Sequence, residues 1–356
     1  MNSNLSIEHL LAVPASFLAA SDGPGANIAI SSRIRLARNI KGYPFPGAAS
    51  ASQAREVCEL VSEAASFSGS LPCPDCLDFS IRDLKLIDRE ILFERRLASR
   101  ELIESPENTR LLVRKDESCS VMINEEDQIR MQSIRPGFQL QEVFREINRI
   151  DDELSCRLDY AFDEQLGFLT SCPTNVGTGM RASVMLHLPG LVITGQIAPT
   201  IQGISKLNLA VRGIFGEGSD NRGNLFQISN QSTLGESEEN ILSTLSAVIE
   251  QLVFHEKRAR QTLLKDDRYG VLDYIGRSYG ILRHCYKLSG EEALKSLSGV
   301  RLGVDLGLFN SVDISKVNEL FIATGAAHLQ ANAGVDLSSD ERDIRRAQLC
   351  REKLKL

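Results

Sequence analysis

Apolar residues alternate with polar ones along residues 27–39 (NIAISSRIRLARN) and in shorter runs at 110–114, 119–124 and 129–134, a period that predicts half-buried strands. Residues 50–67, 84–102 and 137–154 carry helical spacing, the last with Phe138, Leu140, Val143, Phe144, Ile147 and Ile150 on one face. Residues 157–162 and 166–170 read as a hairpin around Asp163-Glu164-Gln165, 181–188 as a strand, and 207–215 with 224–229 as another pair. From Ser237 the pattern turns helical through 243–264, 272–288, 290–297, 314–329 and a highly charged stretch at 340–354. Strands followed by helices imply an α+β core with a helical C-terminal unit. The expected division falls between residues 1–258 and 259–356.

Of the 356 residues, 42% are apolar and 24% charged, which suits a globular enzyme and argues against extensive disorder. No run reaches the roughly 18–20 apolar residues of a membrane span. The stretch LLAVPASFLAA at 10–20 has signal-peptide length but follows Glu8 and His9 rather than a basic segment, so a short amphipathic helix is expected there. Eight scattered cysteines point to reduced thiols and a cytoplasmic setting. Cys73-Pro-Asp-Cys76 has zinc-ribbon or redox spacing, but no second such pair completes a site, and no metal-ligand set is expected. A net charge of −7 disfavours nonspecific nucleic-acid binding and accords with basic partners.

The chemistry concentrates in VMINEEDQIRMQSIR at 121–135. A strand runs into Glu125, Glu126 and Asp127, and the next sets Gln128, Arg130 and Gln132 opposite Ile129 and Met131. Such a site can hold a cation and an anion side by side. In Ser32-Arg33-Ile34-Arg35 the two arginines share a strand face, where phosphate oxygens would match their forks; a solvated edge paired with carboxylates would show the same alternation. TSCPTNVGTGMR at 170–181 combines Asn175, Gly177, Thr178 and Gly179, a turn rich in backbone donors, with Arg181 just beyond; it is not a Walker A loop. Cys172 precedes Pro173 and is therefore extended, either as a small buried hydrophobe or as a thiolate against a guanidinium. Arg212 opens a glycine-dense stretch to 223 that carries Glu217, which reads as a mobile flap or a plain hairpin loop.

SSRIRLARNIKGYPF (31–45), NEEDQIR (124–130), CPTNVGTGMRASV (172–184), RGIFGEG (212–218) and FQISNQSTLG (226–235) together resemble the phosphagen (guanidino) kinases, and more closely the bacterial protein-arginine kinases. The resemblance implies a curved antiparallel sheet flanked by helices, of glutamine-synthetase-like form, using ATP and Mg2+. It implies that Arg33, Arg35, Arg130, Arg181 and Arg212, with Ser32, surround the ATP phosphates. Glu126 becomes the main catalytic carboxylate with Glu125 beside it, Cys172 the thiol at the guanidino group, and Glu217 a second carboxylate. Magnesium would be held largely by nucleotide oxygens and water.

Two departures matter. Kinases of free guanidino compounds carry a helical domain ahead of the SSRxR strand, whereas little chain precedes Ser31 here, which favours arginine presented on a protein. The histidine that stacks on adenine in those kinases is replaced by Met185, leaving Met185 and His187 as candidates. In the tail, Arg342-Asp343-Ile344-Arg345-Arg346-Ala347 resembles the RDxxRA motif that binds phosphoarginine, through Arg342, Asp343 and Arg346; an exposed charged helix is the plain alternative. The resemblance further implies homodimers, an activator protein, a heat-shock repressor as substrate, and Clp proteolysis in stress response. Two rival readings are a kinase of a free guanidino metabolite and a non-catalytic phosphoarginine-reading adaptor.

Overall fold

The computed structural model describes residues 3–15, 23–71, 76–213, 222–309 and 312–355. Its strands are β1 (Ala29–Arg38), β2 (Cys76–Ser80), β3 (Arg110–Arg114), β4 (Cys119–Ile123), β5 (Ile129–Pro136), β6 (Phe162–Asp163), β7 (Gly167–Phe168), β8 (Met180–His187), β9 (Leu209–Gly213) and β10 (Leu225–Asn230). Eight of them form one sheet in the order β2-β3-β4-β5-β1-β8-β10-β9, every neighbouring pair antiparallel, while β6 and β7 pair apart as a small hairpin. Around it lie α1 (Ser3–Ala12), α2 (Ala51–Ser66), α3 (Leu86–Glu94), α4 (Arg100–Glu104), α5 (Leu140–Ser155), α6 (Pro189–Ile193), α7 (Ile197–Ser205) and α8 (Glu238–Asp266). The helical part continues with α9 (Arg268–His284), α10 (Gly290–Asp305), α11 (Ile314–Ala323), α12 (Ala326–Ala333) and α13 (Ser339–Lys353).

The period-two pattern assigns one sheet face to the core. Ile34 and Leu36 of β1, Ile129 and Met131 of β5, Ala182 and Val184 of β8, and Phe226 and Ile228 of β10 are all buried in one cluster. Helix α5 meets them with Val143, Ile147, Ile150 and Leu154, α2 with Val57 and Val61, and α8 with Leu245, Ile249 and Leu252. Burying each such side chain stabilises the fold by about 1.5–3 kcal/mol.

The opposite face is apolar only at its margins. Toward the β3 edge, Leu111, Val113 and Met122 pack under α1, α3 and Ala327 of α12. At another margin Ile134, Met185 and Leu225 join a cluster with Leu297, Val300, Phe321 and Ala347 from the C-terminal helices. Between these margins the face is polar.

Three expected elements are corrected by local geometry. Residues 84–102 form two helices, α3 and α4, because Arg96 adopts a left-handed φ of 60° and turns the chain. Residues 314–329 also divide, at Gly325, where the Glu94 carboxylate accepts the amides of Ala327 and His328; a Cβ on Gly325 would meet Glu94 at 2.5 Å. The hairpin strands shrink to two residues each. The expected 258/259 division lies within α8, which runs unbroken to Asp266.

The two parts are also joined by polar contacts. Arg301, 1% exposed, donates to the carbonyls of Ala26 and Asn27 ahead of β1, to Asn318 Oδ1 and to His187 Nδ1.

Candidate active site

Directly paired residues of antiparallel strands share a face. The register pairs Arg35 with Arg181 and with Gln132, Arg33 with Ser183, Ala37 with Arg130, and Gln227 with both Met185 and Arg212. Arg33, Arg35, Arg130, Arg181 and Arg212 therefore occupy the polar face together, on β5, β1, β8 and β9, with Gln227 of β10 between the last two. Arg33 donates to Gln227 Oε1 at 3.0 Å and Arg181 to Ser229 Oγ at 3.2 Å, while Arg35 Nε is buried with no hydrogen-bond partner among the described residues.

This clustering is electrostatically costly. Burial, then the charges of Arg96, Arg130 and Arg181, pull Arg33 down to about 9. Burial and the charges of Arg33, Arg130 and Arg181 likewise hold Arg35 well below the ordinary arginine range. Like charges this close and this dry call for an anion.

A sixth cation went unrecognised in the sequence. Arg96 lines the same narrow cleft as Ser31, Arg33, Ser183, Met185 and Gln227, and burial pulls its pKa down to about 10. Its left-handed backbone parts it from Arg95, which bonds Glu117 and Val13 O, and its own carbonyl accepts from Gln132 Nε2 at 2.7 Å. Two adjacent arginines after a helical pattern look like a solvated face; only the chain turn separates their fates.

The three consecutive carboxylates divide their tasks. Glu125 is buried and takes Arg130 Nη1 on both oxygens, at 2.6 and 2.7 Å. Burial works to raise its pKa, but the charge and hydrogen bonds of Arg130 prevail and hold it low. Asp127, 1% exposed, accepts Asn39 Nδ2 and the Ser171 amide, tying the extension of β1 to the Cys172 loop. Glu126 alone remains accessible, its side chain 39% exposed and 4.0 Å from Arg130 Nη1. Burial, with the nearby Glu125, Asp127 and Glu101 charges, raises its pKa against the pull of Arg130. A carboxylate so placed can accept a proton.

Cys172 is partly exposed, extended (φ −92°, ψ 121°), with Sγ 3.1 Å from Thr174 Oγ1. Of the glycines after it, Gly177 N donates to Phe168 O, and a Cβ on Gly179 would strike Ala37 O at 2.6 Å. Glu217 and Cys73 lie outside the described residues. Cys76 begins β2.

Two other candidates sit elsewhere. Ser32 falls on the opposite sheet face, fully buried, its hydroxyl donating to Gly137 O and accepting from Gln139 N. His187 shares the face of Met185, but α10 covers it completely. Arg301 donates to its Nδ1, so Nε2 carries the proton and donates to Ser298 Oγ; burial and the charges of Arg301 and Arg260 keep the ring neutral. It cannot stack on a base. Met185, 4% exposed, still borders the cleft.

In the tail, Arg342 donates to Leu337 O, while Arg346 is 5% exposed and donates to Thr324 O, Leu288 O and Asp343 Oδ1. Arg346 thus anchors α13 through Nε and Nη1.

Among the described residues no group of three His, Cys, Asp or Glu side chains converges as a metal site, and no helix is long and apolar enough to cross a membrane.

Comparison with known proteins agrees with this arrangement. The family model of the ATP:guanido phosphotransferase C-terminal catalytic domain matches residues 76–259, and that of the protein-arginine kinase McsB C-terminal domain matches 268–356. A protein-arginine kinase of Halalkalibacterium halodurans is 46% identical over 99% of both chains, and one of Brevibacillus brevis 47% identical over 94% of both. Among solved structures, a duplicated taurocyamine kinase from Schistosoma mansoni with bound transition-state-analogue components is 26% identical, covering 75% of this chain and 38% of its own, with a TM-score of 0.60. A lombricine kinase at 24% identity covers 67% of this chain and 70% of its own, with a TM-score of 0.57, and speaks to the fold alone. The chain belongs to the protein-arginine kinases of the ATP:guanido phosphotransferase family.

Proposed function

We propose that this enzyme transfers the γ-phosphoryl group of ATP to a guanidino nitrogen of arginine residues in proteins. The observation that carries the reading is the row of like-charged arginines on one sheet face, ending at an accessible carboxylate, Glu126. Arg33, Arg35, Arg96, Arg130, Arg181 and Arg212 hold the triphosphate oxygens, with Met185 bordering the end that receives the base. Glu126, with Glu217, grips two edges of the incoming guanidinium, and Cys172 lies beside it.

A protonated guanidinium is a poor nucleophile because its lone pairs are delocalised. Glu126 takes a proton from the attacking nitrogen as the N–P bond forms and the bond from phosphorus to the β,γ-bridging oxygen breaks, leaving ADP. Orienting the two reactants in line contributes on the order of 7–11 kcal/mol. The arginines stabilise charge on the moving phosphoryl group, which is most of the protein's task in such transfers. Magnesium, arriving on the nucleotide, supplies neutralisation of the β- and γ-phosphates; Glu125, already committed to Arg130, is not free to hold it.

The finer reading extends to regulation. Arg342 and Asp343 bind phosphoarginine, homodimers form through the helical unit of 259–356, and an activator protein and Clp proteolysis connect the mark to stress response in the cytoplasm. Incubation with ATP, magnesium and a basic protein, followed by phosphosite mapping under non-acidic conditions that preserve N–P bonds, tests the central claim. Phosphoarginine on the protein is expected; modification of free arginine alone would overturn it.

A further inference from the structure

The hairpin of β6 and β7 stands at the acidic end of the arginine row. Its base is stitched to the chain leaving β1, with Ala161 N donating to Asn39 O, Lys41 N to Asp159 O, and Asn39 Nδ2 to Leu169 O. Phe168 exchanges both backbone hydrogen bonds with Gly177, so the Cys172 loop springs directly from the hairpin. Beneath it, Phe168 covers the Arg38 guanidinium, 3.5 Å from ring centroid to Cζ, and Asp151 pins Arg38 at 2.6 Å.

The outer side of this rigid mount is apolar and open. Phe162 is 58% exposed and Leu166 46%, and Leu234, 51% exposed, shares one groove with them. Nothing within the described residues covers the three. The surroundings are acidic: exposed Glu164 lies at the hairpin turn, exposed Glu236 lines the groove, and Asp163 caps the turn amides of Gln165 and Leu166. Large exposed apolar side chains grouped on one rim commonly mark an interaction surface.

The geometry points to a docking surface for the polypeptide that flanks the target arginine, a segment combining basic residues with an apolar side chain. It rests on the protein-arginine reading above. Basic flanks complement Glu164 and Glu236, an apolar flank seats against Phe162, Leu166 and Leu234, and the shared mount with Cys172 and Asp127 delivers the arginine between them to Glu126. Binding energy gathered here, away from the reacting atoms, selects which arginines are marked.

The test is steady-state kinetics on the full chain with two peptides built around one arginine, one with Lys and Leu flanks and one with Glu and Ser flanks, beside free arginine. Phe162→Ala with Leu166→Ala should raise KM for the basic, apolar peptide by about tenfold, with kcat and the KM for ATP within about twofold. Glu164→Lys with Glu236→Lys, both at exposed positions, should reverse the preference between the two peptides. Unchanged KM values in both variants, with an active parent enzyme, would overturn the docking surface alone. A parent enzyme that phosphorylates free arginine and neither peptide would overturn the protein-arginine reading and this surface with it.

Discussion

Arg130 Nη1 lies 2.6 Å from one carboxylate oxygen of Glu125 and 2.7 Å from the other, and Glu126, the next residue in the chain, keeps 4.0 Å away from the same nitrogen. Adjacent glutamates thus serve opposite ends, one fixing a cation and the other remaining available. Substituting each should separate the two. Glu126→Gln should lower kcat by roughly 10²–10⁴-fold while ATP still raises the melting temperature. Glu125→Gln should cost about 1–3 kcal/mol of stability, because it weakens the pairing of a mostly buried charge. Urea unfolding and turnover measured on both variants check this; equal losses of stability would refute the division.

The same pair dictates pH behaviour. The folded-state pKa of Glu125 is depressed, so its contribution to stability is present above the ordinary glutamate value of 4.5 and fades as pH falls through the folded value. Glu126 is raised instead, so its own stability contribution is largest below 4.5 and is lost as pH rises through its folded value. The proposed proton transfer needs Glu126 ionised. The acid limb of kcat/KM should therefore lie above 4.5, at a pH where Glu125 still holds Arg130. A pH–rate profile beside pH-dependent unfolding measures both, and an acid limb below the ordinary glutamate range would count against Glu126 as the base.

Arg96→Met should act in opposite directions on the empty and the loaded enzyme. Without nucleotide it removes a buried charge that presses on Arg33, so the melting temperature should hold or rise. With ATP it loses a charge-assisted contact of about 1.5–3 kcal/mol, raising the KM for ATP by roughly 10–100-fold. Thermal shifts with and without ATP check the pair of effects; an unchanged ATP shift would take Arg96 out of the phosphate site.

Arg342→Ala should weaken phosphoarginine binding with little change in stability, because among the described residues its side chain donates to the nearby Leu337 carbonyl alone. Arg346→Ala should instead unfold the tail, by about 3–5 kcal/mol, since it leaves buried carbonyls and Asp343 without their donor. Calorimetric titration with phosphoarginine and chemical denaturation distinguish the two.

Much of this site was legible from alternation alone. The period of two set Arg33 and Arg35 together, set Arg130 and Gln132 opposite Ile129 and Met131, and by the same parity already assigned Ser32 to the other face. Proximity to a motif outweighed parity there, wrongly. His187 was misleading for a different reason. Its parity is right, but the helix that seals it comes from Ser298 and Arg301, more than a hundred positions along the chain, and no local pattern announces such a contact. Arg96 was hidden by a single left-handed residue inside an apparent helix. The paired strands of the hairpin are shorter than expected: Leu169 N still donates to Ala161 O, but Ala161 N turns outward to Asn39 O and Phe168 pairs with Gly177.

Arg301 grips the carbonyls of Ala26 and Asn27, the last turn of chain before Ser31 and Arg33. The C-terminal helices are therefore keyed to the very root of the first arginine-bearing strand. A shift of α10 by the length of one hydrogen bond must either release those carbonyls or drag the strand's origin along, and with it the stretch that carries Arg33 and Arg35.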